Sequence, residues 1–298
     1  VNHPFTDPDA VRLRFDEADY LTDDGLATAV YLGLELGLPL LLEGEPGVGK
    51  TSAAKALAQT LGAPLVRLQC YEGLTVNEAV YEWNYQRQLL AIRLAESRGE
   101  RLADADLFTE EFLAERPILR CVRHRGPTPP VLLIDEIDRA DDEFEALLFE
   151  FLGEGAVTVP ELGTFIADRP PIVVLTSNRS RDLHDALRRR CLYHWIEFPA
   201  PARAAEIIRR RVPGAGAALI SASTELVIAA RILDLDKAPG LAEAINWVAA
   251  LAALGVGELV RADVVRTLGA LAKTPDDREL LISSLDTDGR LTTGARPR

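Results

Sequence analysis

Apolar residues come in short unbroken runs through the first two thirds of the chain. Residues 38–42, 65–68, 131–134, 172–175 and 194–198 are such runs. Their continuity, without polar alternation, predicts central parallel strands covered on both faces. Between them, 51–61 and 142–152 read as helices. In the second, Phe144, Leu147, Leu148, Phe151 and Leu152 recur at helical spacing and form one apolar face. Strand, helix, strand in this rhythm predicts an α/β domain. After Pro199-Ala200-Pro201 the strand pattern stops, and 202–212, 217–235, 241–254 and 261–271 read as helices separated by Pro, Gly and Asp. The expected organisation is an α/β core over residues 1–200, a small all-helical domain over 201–285 and a polar, frayed tail over 286–298. No apolar run reaches the roughly 18 residues of a membrane span. The longest candidate, 244–257, is interrupted by Asn246 and bounded by Glu243 and Glu258.

The first predicted strand runs into Gly44-Glu45-Pro46-Gly47-Val48-Gly49-Lys50-Thr51, with Ser52 next and a helix following. This is the phosphate-loop pattern in the strand–loop–helix setting it requires. Glycines let backbone N–H groups wrap phosphates, and the helix N-terminus adds partial positive charge. Residues 44–52 are therefore candidate nucleotide contacts, with Lys50 for the β- and γ-phosphates and the Thr51 hydroxyl for Mg²⁺.

The third apolar run ends in Asp135-Glu136. Two carboxylates at a strand end are often merely solvated. Downstream of a phosphate loop they take on chemistry: Asp135 for the Mg²⁺ shell, Glu136 to polarise a water against the γ-phosphate. A kinase for small molecules excludes water and has no use for such a glutamate. The fourth run ends Thr176-Ser177-Asn178, where Asn178 either turns the chain or orients the attacking water. Arg188-Arg189-Arg190 follows; it reads as a solvated helix end or as an arginine finger reaching a neighbouring subunit's nucleotide.

The 33 basic against 46 acidic residues leave a net charge of −13, which repels phosphate backbones and argues against a nucleic-acid partner. Cys70, Cys121 and Cys191 are too few and too widely spaced for a disulfide framework or a zinc site, and read as free thiols. The N-terminal residues lack the basic and apolar regions of a secretory signal, so the expected location is cytoplasmic.

In this order the motifs resemble the AAA+ ATPases over almost the whole chain. More narrowly the chain resembles the MoxR branch and its CoxD-type members, the carbon-monoxide-dehydrogenase accessory ATPases. The narrower match rests on Arg67-Leu-Gln-Cys-Tyr-Glu-Gly-Leu74, Tyr81-Glu-Trp-Asn-Tyr-Gln-Arg-Gln-Leu-Leu90 and Leu183-His-Asp-Ala-Leu-Arg-Arg-Arg-Cys-Leu-Tyr-His-Trp195. The resemblance implies a P-loop NTPase core with a helical lid, ATP and Mg²⁺ as ligands, and a homo-oligomer, usually a hexameric ring. It implies Arg190 as the finger acting in trans, with Arg189 the second choice, and Asn178 as the sensor of the γ-phosphate. It implies a hairpin at 156–167, and a role as a chaperone that helps insert metal into a molybdenum hydroxylase beside an adaptor with a von Willebrand A domain. One departure stands out: the lid stretch where such ATPases carry a second sensor arginine reads Lys237-Ala-Pro-Gly-Leu241. Tyr81, Trp83 and Tyr85 read as helical packing residues or as a pore lining that grips a client protein. The rival readings are a nucleic-acid motor or restriction subunit on the same core, and a monomeric P-loop kinase or switch.

Overall fold

The structure, a computed structural model, describes residues 3–291. By its internal contacts the chain forms two compact units. The first comprises the residues up to Ala18, Thr22–Glu43 and Lys50–Trp195. The second comprises Asp19–Leu21, Gly44–Gly49 and the residues from Ile196 onward.

The first unit opens with two helices that the apolar pattern does not announce, α1 (Pro8–Glu17) and α2 (Asp24–Leu36). Each starts on an aspartate, Asp7 or Asp23, whose carboxylate accepts a first-turn N–H, and α2 stops at Gly37 in the left-handed conformation. Then come β1 (Leu40–Gly44), α3 (Lys50–Leu61) and β2 (Leu65–Gln69). An insert follows, made of α4 (Val76–Ala79), β3 (Tyr81–Trp83), α5 (Tyr85–Ser97), α6 (Asp104–Leu107) and β4 (Leu113–Glu115). The core resumes with α7 (Pro117–Val122), β5 (Val131–Asp135), α8 (Asp142–Glu154), β6 (Ala156–Val159), β7 (Gly163–Ile166), β8 (Ile172–Ser177), α9 (Asp185–Arg190) and β9 (Leu192–Ile196).

Five strands form one sheet in the order β2-β5-β8-β1-β9, with β2, β5, β8 and β1 mutually parallel. Every residue of β1, β5 and β8 is buried, as unbroken apolar runs require. The mixed α/β parallel-sheet core is thus the one the apolar runs predict. Phe144, Leu148 and Phe151 of α8 join that core with the β5 residues Leu132 and Ile134.

Two strands begin two residues away from the sequence expectation. Leu38 closes the end of α2 by donating its amide to Gly33, so β1 starts at Leu40; β9 starts where the Leu192 amide reaches the Pro39 carbonyl. β6 and β7 form the antiparallel hairpin expected at 156–167. Trp83 belongs to a strand, not a helix, and is buried edge-on against Phe108, whereas Tyr85 opens α5 in solvent.

The second unit carries α10 (Pro201–Arg211), α11 (Ala217–Ala230), α12 (Leu241–Ala253), α13 (Arg261–Thr267) and α14 (Pro275–Ser284). They enclose Trp247, Leu219, Val248, Leu251 and Val264, and the Trp247 indole N–H donates to the Thr267 hydroxyl at 2.8 Å. Helix α11 ends at Ala230, short of the expected 235, and beyond it the Asp236 and Lys237 amides donate to the buried Asp277 carboxylate. The apolar stretch at 244–257 falls mostly within α12, and among the described residues no helix is long and apolar enough to cross a membrane. Of the expected polar tail, 286–291 form a turn in which the Asp286 carboxylate accepts the Asp288 and Arg290 amides and Leu285 bridges to Leu291. The remainder, 292–298, lies outside the described residues.

Candidate functional site

The carboxyl ends of parallel strands are where an α/β sheet leaves polar backbone and side chains free for ligands. Asp135 ends β5, and its side chain is only 4% exposed. Thr51, in the first turn of α3, donates its hydroxyl to Asp135 Oδ1 at 3.0 Å, and Thr176 of β8 does the same at 2.5 Å. The other oxygen takes Arg67 of β2, through Nε at 2.9 Å and Nη2 at 2.5 Å. The chain thereby brings together four residues from three strands and a helix.

Glu136 follows immediately, with φ +57° and ψ +50°. A left-handed backbone at a non-glycine residue costs about 1–2 kcal/mol. It is held by the Glu136 amide donating to Thr176 Oγ1 at 3.0 Å, and it turns the carboxylate out of the strand, where Arg139 Nε lies 3.1 Å away. Asn178 stands directly after β8 and its backbone amide donates to Asp138, which also accepts the Ser180 amide at 2.8 Å and hydroxyl at 2.6 Å. Asp138 is buried. Burial pushes its carboxyl up, but the Ser180 and Asn178 hydrogen bonds outweigh that and hold it below its ordinary value of 3.8.

The three arginines at the end of α9 part company. Arg188 donates Nη2 to both oxygens of the buried Glu43 at 3.0 Å. Arg190 donates to the Phe149 carbonyl at 2.6 Å and stacks its guanidinium on the Phe149 ring. Arg189 is exposed. Lys50 is buried at the start of α3, and Ser52 beside Thr51 is half-buried. The thiols of Cys70, Cys121 and Cys191 are all pushed up to about 12 by burial, so none is a nucleophile at neutral pH.

Within the second unit, the loop Gly44–Gly49 has the glycines its path demands. A Cβ on Gly44 would lie 2.5 Å from the Ile196 carbonyl oxygen, and Gly47 and Gly49 hold φ of +79° and +102°. Val48 is buried, and the Pro46 carbonyl lies against Gly240. Glu45 is bound by Arg231, whose guanidinium covers Phe198 at 4.1 Å.

The sequence assigns no catalytic or binding role to Arg67, Thr176, Asp138, Glu43 or Arg231, although Arg67 and Thr176 stand within strings it singles out. Asp138 had a signal too, its place in the acidic string after β5. The others meet their partners across 41 to 186 residues of chain.

The residues suit a magnesium nucleotide. The loop keeps a side-chain-free path where a Cβ would fill it, and a hydroxyl and a carboxylate, both hard oxygen donors, stand 3.0 Å apart at Thr51 and Asp135. Fold and site together define a P-loop nucleotide-binding α/β domain. Residues 39–191 match the AAA domain (dynein-related subfamily), and the chain belongs to that family. The domain is accordingly an ATP hydrolase that uses ATP and Mg²⁺.

Among curated relatives, the Lon protease of Fusobacterium nucleatum is 30% identical over 37% of this chain but only 11% of its own length. Protein CbbQ of Hydrogenophilus thermoluteolus is 24% identical over 84% of this chain and 87% of its own. A RuvB variant of Thermotoga maritima, 18% identical, covers 98% of this chain and 77% of its own at a TM-score of 0.51, a likeness of fold.

Proposed function

We propose that the protein is a MoxR-like AAA+ ATPase whose Mg²⁺-dependent ATP hydrolysis remodels a protein client. The observation that carries the reading is the Thr51 hydroxyl on the Asp135 carboxylate. It joins the phosphate loop to the acidic strand end across 84 residues. Bound Mg²⁺ neutralises phosphate charge and polarises the phosphoryl group. Lys50 sets its ammonium against the phosphates, while Thr51 and Asp135 hold the metal. Glu136, aimed by its backbone, accepts the proton of the attacking water, and Asn178 orients that water. Arg190 completes the site of a neighbouring subunit in a homo-oligomer, a hexameric ring, with Arg189 the alternative.

The client is an apo-metalloenzyme of the molybdenum hydroxylase kind, such as carbon monoxide dehydrogenase, approached with a von Willebrand A domain adaptor. This finer reading rests on the CoxD-like strings. The exposed apolar side chains Tyr85, Leu89, Leu90 and Leu94 on α5 support a protein partner, since such surface favours contact with another chain.

The test is ATP turnover per subunit across a wide range of protein concentration, for the native chain and Arg190→Ala. Specific activity should rise with concentration, and the variant should bind ATP yet turn it over about 10³-fold more slowly. Activity flat with concentration and indifferent to Arg190 would mean a self-contained site.

A further inference from the structure

Asp135 has no spare acceptor capacity. An ionised carboxylate offers about four lone-pair sites. Here four donors converge on it: the Thr51 and Thr176 hydroxyls on one side, and Nε and Nη2 of Arg67 on the other. A cation that takes Asp135 as a ligand has to dislodge one of them. The two hydroxyls can turn their protons away and stay. A guanidinium has only donors and a positive charge, so a divalent cation repels it. Arg67 is also the partner best able to leave. Its side chain is 50% exposed, against 4% for Asp135, so release into water costs it little, whereas Asp135 without a counter-charge would be a stranded buried anion. Gln69, two residues along the same face of β2, accepts from Arg67 Nη2 and gives the departing group a second hold.

We propose that Arg67 is the resident counter-cation of Asp135 and is exchanged for Mg²⁺ when the nucleotide binds, so that it sets the metal affinity of the site. This rests on the magnesium assignment above and adds to it a residue that works against binding. The cost of expelling Arg67 is also a penalty on nucleotide-free metal capture, and it ties metal loading to a movement of the Arg67 side chain on β2.

The experiment is a titration of Mn²⁺ into the full chain at constant saturating ADP, with the free ion followed by electron paramagnetic resonance. Measuring at 0.15 M salt screens the long-range share of the charge change. Arg67→Gln should bind Mn²⁺ about tenfold more tightly than the native chain, the worth of one partly exposed charge pair. Arg67→Lys, which keeps the charge but loses the two-point hold, should fall between them and serves if the glutamine variant does not fold. Asp135→Asn supplies the reference. If it binds Mn²⁺ as the native chain does, the metal assignment itself fails. If it binds weakly while Arg67→Gln and Arg67→Lys equal or trail the native chain, the assignment stands and the exchange does not.

Discussion

Two buried carboxylates end neighbouring parts of the same sheet, Asp135 on β5 and Glu43 on β1, with β8 between them. Each is held by an arginine, yet the two pairs are built differently. Glu43 faces Arg188 and, at 3.6 Å, Arg179, and the Tyr193 hydroxyl adds a hydrogen bond. Arg188 Nε is itself buried without a partner, and Nη2 makes a two-point contact with the carboxylate across α9 and β1. Asp135 is served by two hydroxyls that can re-orient as well as by its arginine, which stands half in solvent. The same pair of residue types thus serves fixed architecture in one place and exchange in the other. The two arginines differ in degree of exposure, 31% for Arg188 against 50% for Arg67.

The sharpest break of the comparison is Asp135→Asn. Asparagine keeps an oxygen for the Thr51 and Thr176 hydroxyls but not the charge, so the fold should survive. Turnover should fall about 10²–10³-fold, as on loss of one major electrostatic contact in a water-excluded site. A melting temperature within a degree or two of native alongside that loss identifies an exchangeable, functional carboxylate. A large drop in melting temperature with turnover intact would reverse the two roles.

Arg188→Ala probes the other pair. Stripping one partner from a buried ion pair costs about 3–5 kcal/mol, and the partial exposure of Arg188 brings the expectation to about 2 kcal/mol. In a unit of this size that is a melting shift of roughly 4–8 °C. Metal affinity should hardly change. If instead Arg188→Ala melts like the native chain and loses Mn²⁺ binding, Glu43 is part of the metal site.

What the sequence makes legible follows the same division. Gly44–Thr51 and Asp135-Glu136 can be read because loop, strand end and chemistry are contiguous in the chain. The buried strands can be read because a parallel strand covered on both faces has to be apolar throughout. Arg67 cannot be read, because an arginine in a strand is ordinary and its partner lies 68 residues away in a register that only the assembled β2–β5 ladder creates. Helices α1 and α2 went unseen because their apolar positions are sparse or diffuse and their start signals are single capping aspartates. Trp83 reads ambiguously because the aromatics at 81, 83 and 85 straddle a short strand, Tyr81–Trp83, and the start of the next helix at Tyr85.

A third carboxylate tests whether burial of the counter-charge, rather than of the acid, is the deciding variable. Asp138 is as buried as the other two but is held by the Ser180 amide and hydroxyl and the Asn178 amide, not by an arginine. Because its carboxyl is held below 3.8, its ionised form contributes stability that is fully present above that value and is lost as pH falls through the depressed one. Ser180→Ala removes the hydroxyl and leaves both amides, so it should cost about 1.5 kcal/mol near neutrality, the low end for a hydrogen bond to a charged group. The difference from native should narrow as acid protonates Asp138. Chemical denaturation at pH 7 and at pH 3 measures both. A cost that is the same at the two pH values would show that Ser180 acts by packing alone, and the tie between Asp138 and Asn178 would then be carried by backbone amides without help from the charge.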